Sequence, residues 1–201
     1  LEGGELTYPQ EGRIGYEQYA ARMAALWGLD VVRAMSIERN LRWESAPSGV
    51  RVPVDLRSSA VFGAINPTLS EPYFLQGLEI GFDTETQKLA AQIYMAQEER
   101  FANTGIATMV SEDHINQKPY FLYSSVFSND EVWAVVTENG ESHNDKRTVS
   151  LKAVFGWDAL YHSDYTQQLR EQYAYLATSK GWMTGVYEKG GEVNDVMTLT
   201  T

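Results

Sequence analysis

The stretch from Ser70 to Asp83 constrains the fold most, because it has the marks of a helix that begins at a defined residue and is buried in the protein. Ser70 belongs to the residue types that cap helix N-termini, and Glu71 places a carboxylate in the first turn, where free N–H groups favour it. Pro72 is tolerated there because first-turn N–H groups have no partner within the helix. Apolar residues then predominate, so we predict a helix over residues 70–81.

A four-residue phrase of apolar residue, glycine, apolar residue and aspartate occurs at three places in the chain. The copies are Trp27-Gly28-Leu29-Asp30, Ile80-Gly81-Phe82-Asp83 and Phe155-Gly156-Trp157-Asp158. The first two lie about one helical hairpin apart, and self-similarity at such a spacing is typical of repeated helix pairs. We therefore expect the helices to form repeating hairpins.

Charge-poor segments alternate with amphipathic ones along the chain. From Tyr16 to Trp27, apolar residues recur at the spacing of one helix face and charges are few, which indicates an interior helix. The predicted elements are inner helices near residues 15–28, 70–81 and 148–160, outer helices near 31–42, 85–102 and 165–178, and a small β excursion within 106–137. Further expectations are a strand or loop over 3–9, a loop over 56–69 and a hairpin over 183–196.

Composition limits the classes of function. With 43% hydrophobic residues in a chain of 201, there are enough apolar side chains to fold around a core. The formal net charge of −11 argues against nucleic acid or an anionic membrane as a partner, since phosphate contacts need clustered Lys and Arg. The absence of cysteine excludes disulfides and thiolate metal sites, and no apolar stretch is long enough for direct membrane insertion of this segment. Gly12-Arg13-Ile14-Gly15 lacks the lysine of a phosphate loop, so we expect no cofactor.

Four longer stretches, residues 11–21, 70–73, 108–114 and 147–157, carry a family resemblance. They resemble the C-terminal portion of an uncharacterised bacterial envelope domain family that is itself similar to (α/α)6 six-hairpin glycosidases. The resemblance implies a mainly α fold, part of an (α/α)6 toroid of helical hairpins with a small β excursion. It also implies that residues 1–201 are a single domain but only its incomplete C-terminal portion, with the missing N-terminal half as a partner. A periplasmic or extracellular location follows from the resemblance alone.

Carboxylates at the starts of the inner helices are the candidate catalytic groups. Glu17 and Glu71 lie beside the tyrosines Tyr16 and Tyr73, and in a helical toroid such helix starts face one funnel. Two carboxylates that flank a glycosidic bond are the usual machinery of glycoside hydrolysis. The alternative is that both glutamates only complement helix dipoles.

A second group of ionisable residues is Glu112-Asp113-His114. We expect one of Glu112 and Asp113 to face the cleft and the other to hold the loop, and a purely structural role for both is an equal alternative. Carboxylate and imidazole can ligate a divalent cation, but no second histidine stands at i+4, so no metal is predicted.

Aromatic and basic side chains are candidate sugar contacts, because rings stack on sugar faces and cations orient carboxylates or bind substrate. The candidates are Arg13, Tyr16, Tyr73, Tyr120, Trp133, Arg147 and Lys152. Simple packing of the rings and ordinary ion pairs are the alternatives.

These residues together predict a carbohydrate-active enzyme, a glycoside hydrolase or transglycosylase that acts on a bacterial glycan through paired carboxylates. One alternative is a non-catalytic glycan-binding or scaffold domain on the same toroid. Another is a polysaccharide lyase, which would rely on a tyrosine or histidine base and a cation that neutralises a uronate. In each case the expected partner is an oligosaccharide or polysaccharide.

Overall fold

The computed structural model describes residues 13–37, 41–57, 61 and 65–197. Within these ranges the chain forms six α-helices and eleven short strands in four sheets, so the fold is mixed α/β. The predicted mainly α fold is therefore wrong, and so is the expected relation to (α/α)6 six-hairpin glycosidases. In an (α/α)6 toroid consecutive helices would pair directly as hairpins, whereas strands here separate several of the helices along the chain.

Helices and strands alternate in groups along the chain. The helices are α1 (Tyr16–Ala25), α2 (Val32–Met35), α3 (Glu71–Glu79), α4 (Thr84–Thr104), α5 (Leu151–Tyr161) and α6 (Asp164–Gln172). The strands are β1 (Leu41–Ser45), β2 (Arg51–Asp55), β3 (Glu112–His114), β4 (Phe121–Ser124), β5 (Phe127–Ser128), β6 (Glu131–Val132), β7 (Val135–Val136), β8 (Thr148–Ser150), β9 (Ala177–Thr178), β10 (Gly181–Tyr187) and β11 (Val193–Met197).

Local signals set the ends of several helices. The carboxylate of Asp83 caps α4 by accepting a 2.8 Å hydrogen bond from the backbone N–H of Thr86, and Gly105 ends the helix in the left-handed conformation. Ser70 precedes α3 as predicted, but its hydroxyl accepts a hydrogen bond from Gln97 instead of capping the helix. Glu71 and Pro72 lie in the first turn of α3, as the sequence indicated.

The helical core is built around Trp157 on α5, which is fully buried. Its ring contacts Phe74 of α3 edge-on, with the ring centres 6.2 Å apart, and stacks on Tyr161 at 5.5 Å. Gly156 makes this packing possible, because a Cβ at that position would lie 2.5 Å from the ring of Phe74. The predicted inner helices over 70–81 and 148–160 are thus present and packed together, although residues 148–150 are strand β8.

The three copies of the apolar–Gly–apolar–Asp phrase have no common structure. Gly28 and Gly81 follow the ends of α1 and α3 with φ angles of 78° and 90°, where the left-handed conformation favours glycine. Gly156 instead lies inside α5, where it is needed for its small size. The glycine of the phrase is thus used after a helix end in two copies and inside a helix in the third. The expected repeat of helical hairpins is therefore wrong.

The predicted outer helix over 31–42 is also wrong. Among the described residues of this range, 31–37 and 41–42, only the four residues of α2 are helical, and β1 begins at Leu41 and pairs with β2 in an antiparallel hairpin. The outer helix predicted over 85–102 is confirmed as α4, whereas the one over 165–178 ends earlier, at Gln172, and β9 follows. Residues 3–9 lie outside the described part, as does some of the loop predicted over 56–69.

The β excursion predicted within 106–137 is confirmed. It contains a three-stranded sheet in the order β3–β4–β7 and the short hairpin of β5 and β6. Antiparallel pairing places Glu112 of β3 opposite Tyr123 of β4. Because neighbouring strand residues point to opposite faces, Glu112 and Asp113 face different surroundings.

The C-terminal sheet is organised around β10. This strand pairs with β11 in the predicted hairpin, with β9 near its start, and with β8 over Gly185 to Tyr187. β8 leads without a break into α5, since Ser150 is its last residue and Leu151 begins the helix. The sheet therefore fixes the position of the first turn of α5.

Candidate functional site

Polar side chains from distant parts of the chain meet where the first turns of α1, α3 and α5 approach β3. We call this group the polar cluster and define it as Arg13, Tyr16, Glu71, Glu112 and Lys152. All five were predicted as site residues. They belong to segments that only the tertiary fold brings together.

Glu71 and Lys152 form the ion pair at the centre of the polar cluster. The ammonium of Lys152 contacts the Glu71 carboxylate and also donates a 2.7 Å hydrogen bond to the backbone carbonyl of Glu112. Their side chains are 18% and 14% exposed, so solvent reaches the pair without surrounding it. The hydroxyl of Ser111 lies 3.4 Å from the same carboxylate.

Lys152 occupies a position that the helix itself disfavours. It is the second residue of α5, where the positive end of the helix dipole makes a cation unfavourable by about 0.3–1 kcal/mol. Glu71, by contrast, lies in the first turn of α3, where a carboxylate is favoured. The lysine is thus held by its contacts to Glu71 and Glu112, against the effect of the helix dipole.

Glu112 is the second carboxylate of the polar cluster. Its side chain accepts a 2.8 Å hydrogen bond from the phenol of Tyr16 and lies 3.4 Å from the guanidinium of Arg13. Arg13 in turn stacks over the Tyr16 ring at 4.7 Å from the ring centre. Burial raises the pKa of Tyr16 well above its ordinary value, and the nearby Glu71 and Glu112 raise it further. The phenol is therefore protonated at neutral pH and acts as a hydrogen-bond donor and not as a base.

Asp113 lies behind the polar cluster, on the other face of β3. It is buried and accepts hydrogen bonds from the hydroxyls of Ser150, at 3.0 Å, and Thr148, at 3.1 Å. Burial raises the pKa of Asp113 to about 7, against the opposing effects of Lys152 and the two hydroxyls. A carboxyl group that is half-protonated near neutral pH thus lies below the ion pair.

The remaining predicted residues lie elsewhere. Glu17 is exposed on α1, away from the carboxylates with which it was expected to act, because the first turn of α1 presents Tyr16 to the cluster instead. Tyr73 is a core residue whose hydroxyl donates to the carbonyl of Ile14 at 3.3 Å. Tyr120 is exposed in a turn, and Trp133 is buried against the guanidinium of Arg100.

Arg147, also a candidate cation, pairs with Glu188 at 2.7 Å and not with the cluster carboxylates.

Four residues around the cluster were not predicted as site residues: Ser111, Tyr123, Thr148 and Ser150. Ser111 immediately precedes the acidic pair, and Thr148 and Ser150 have the two-residue spacing of one strand face, so a local signal existed for them. Tyr123, whose ring centre lies 5.9 Å from the Arg13 guanidinium, is placed by its pairing with Glu112. That pairing has no signature in the residues themselves.

Two kinds of feature are absent from the described residues. No three carboxylate or imidazole groups among them approach closely enough to share a metal ion. None of the helices in the described ranges has the length and apolar character needed to cross a membrane.

The fold and the cluster together define a mixed α/β protein with a part-buried site of paired charges between helix starts and a short strand. The chain belongs to the family described as "Protein of unknown function (DUF3131)", whose model matches residues 1–201. The comparisons with curated proteins and with solved structures found no match.

Proposed function

We propose that the polar cluster is a binding site for a neutral carbohydrate. The observation that carries this proposal is the convergence of Arg13, Tyr16, Glu71, Glu112 and Lys152 at one part-exposed place. These side chains come from segments far apart in sequence. Their meeting is a product of the fold and not of local helix stability.

The groups of the cluster match what hydroxyl groups need. Glu71 and Glu112 offer carboxylate oxygens as acceptors, while Lys152 and Arg13 offer charged donors. Hydrogen bonds that involve a charged partner are roughly twice as strong as neutral ones, so such groups are effective in holding a polar ligand against water.

The charge balance favours a neutral ligand over a uronic acid. Each of the two carboxylates that reach the surface is paired with a cation, Glu71 with Lys152 and Glu112 with Arg13. No unpaired cation of the cluster is thus left to neutralise an acidic sugar. The net charge of −11 on the chain also repels polyanions at long range.

The same geometry favours binding over proton transfer. Tyr16 is held as a hydrogen-bond donor, which argues against the tyrosine base of a lyase, and Asp113 is buried behind β3. The cleavage of a glycosidic bond by paired carboxylates stays a prediction from the sequence.

Calorimetric titration of the chain with neutral and uronic-acid oligosaccharides of equal length tests the proposal. We expect a neutral oligosaccharide to bind, and Glu71→Gln to weaken its binding about tenfold or more, because a charged hydrogen-bond partner is lost. Chromatography of the sugar after incubation distinguishes simple binding from cleavage.

Glu17→Gln is the matched control, since it makes the same change on an exposed glutamate outside the cluster. It should bind sugar as the unchanged chain does, and thermal melting should show that both variants are folded. Equal affinities for the two variants, or tighter binding of the uronic-acid sugars, would contradict the proposal.

A further inference from the structure

A cavity that lies apart from the polar cluster opens between the β1–β2 turn, the last turns of α4 and the loop between β6 and β7. Its volume is about 410 Å³, within the range of small-molecule sites, about 300–1,000 Å³. We propose that it binds a small organic acid through the guanidinium of Arg100. The cavity is lined by Pro47, Ser48, Arg100, Asn103, Thr104 and Trp133.

Two arginines share one ion-pair partner beside this cavity. Arg100 and Arg147 share a single carboxylate, that of Glu188, with contacts of 2.6 and 2.7 Å. All three side chains are less than one-fifth exposed, at 13%, 12% and 17% respectively. Glu131 attracts Arg147 more weakly, and its carboxylate already accepts a hydrogen bond from Asn144. Within ion-pair distance, two guanidiniums thus share one carboxylate, and a bound anion would supply a second.

Trp133 has an uncommon backbone conformation at this site. Its φ is 59°, a strained value for a bulky residue that persists only where surrounding contacts impose it. The guanidinium of Arg147 donates two hydrogen bonds to the backbone carbonyl of Trp133. The backbone N–H of Trp133 donates to the carbonyl of Val126 at 2.9 Å. The indole is thereby held against Arg100, whose guanidinium lies 5.0 Å from the ring centre.

The remaining cavity wall suits an organic anion better than a bare ion. Pro47 and the indole of Trp133 provide apolar surface, and Ser48, Asn103 and Thr104 provide short polar groups. The nearby helix-end carbonyls do not compete for Arg100, because the carbonyl of residue 100 accepts from Thr104 and that of Phe101 from Gly105. An oxyanion joined to a small apolar body fits this combination.

Binding can be followed at Trp133 itself by NMR of the five indole N–H groups, which Trp133→Phe assigns. The probes are sodium benzoate, its neutral counterpart benzamide, and inorganic phosphate, all at constant ionic strength. We expect benzoate or phosphate to shift the Trp133 signal in a saturable manner, and Arg100→Met to weaken that binding at least tenfold. A response to benzoate alone identifies a carboxylate ligand, and one to phosphate alone a phosphorylated ligand.

Arg51→Met is the matched control, because Arg51 also stacks over a tryptophan, Trp43 at 5.5 Å, but lies outside the cavity. It should leave binding unchanged. Arg100→Met leaves Glu188 paired with Arg147. Ser48→Trp fills the cavity from the β1–β2 turn and does not touch this ion pair. Loss of binding in both variants therefore excludes unfolding as the cause. Equal binding of benzamide, unchanged binding in Arg100→Met, or no response to either anion overturns the proposal.

Discussion

Replacement of Gly185 by alanine is expected to destabilise the chain by about 4 kcal/mol or more, the range reached only by severe single substitutions. A Cβ on Gly185 would lie 1.9 Å from the backbone carbonyl oxygen of Val149, and the positive φ of 156° adds strain. The obstructing atom belongs to the backbone of β8, so no side-chain rotation can relieve the contact. β10 and β8 would have to separate, and urea unfolding would show the loss in midpoint.

Gly190→Ala is the control for this prediction. Gly190 lies in the turn between β10 and β11 with φ 89°, and nothing stands within 4 Å of an added Cβ. Alanine at this position should therefore lower the free energy of unfolding by only about 1 kcal/mol, the cost of placing a residue with a Cβ in the left-handed conformation. Similar unfolding midpoints for the two variants would show that β8 and β10 do not approach as described.

The second large effect is a fall in stability as the pH rises from about 4 to about 7, caused by Asp113. Its pKa is raised from 3.8 to about 7 in the folded chain, chiefly by burial. Between these values the folded chain keeps a proton that the unfolded chain has released, so folding becomes less favourable as pH rises. The effect is complete above about pH 7 and amounts to about 4 kcal/mol.

Asp113→Asn should flatten this pH dependence, because the amide has the same shape and no charge to bury. It can still accept from Ser150 and donate to Thr148, so the hydrogen bonds behind β3 are kept. Urea unfolding at pH 4.5 and pH 8 gives the measurement. The lowered pKa of Asp83, about 2, acts in the opposite direction but below this pH window.

Asp145→Asn, which changes an exposed aspartate, should leave the pH dependence as it is in the unchanged chain. If Asp113→Asn and Asp145→Asn show the same slope between pH 4.5 and pH 8, the buried carboxyl is not the group responsible.

Helices were predictable where the sequence contains its own start and stop signals. Glu71 and Pro72 mark the first turn of α3, and Gly105 marks the end of α4, so both helices were located to within a few residues. Strand β1 was missed because it depends on pairing with β2. Nothing in Leu41 to Ser45 alone distinguishes a strand from the end of an amphipathic helix.

The candidate site was partly predictable for a similar reason. Carboxylates at helix starts are visible in the sequence, and this singled out Glu71, but Glu17 has the same local pattern and is exposed. The difference lies in which face of each helix meets β3, and that depends on packing between distant segments. Lys152 shows the same limit, since the partner that holds it lies far away in the sequence.

Because β8 runs directly into α5, the polar cluster can stay assembled only while β8 remains paired with β10. Thr148 and Ser150 hold Asp113, Lys152 follows in the same run of residues, and β10 pairs with all of β8. Any fluctuation that exposes the backbone amides between these strands to deuterium also releases the groups behind the ion pair. Amide exchange rates in residues 148–150 and 185–187 therefore report how often the site disassembles in the native protein.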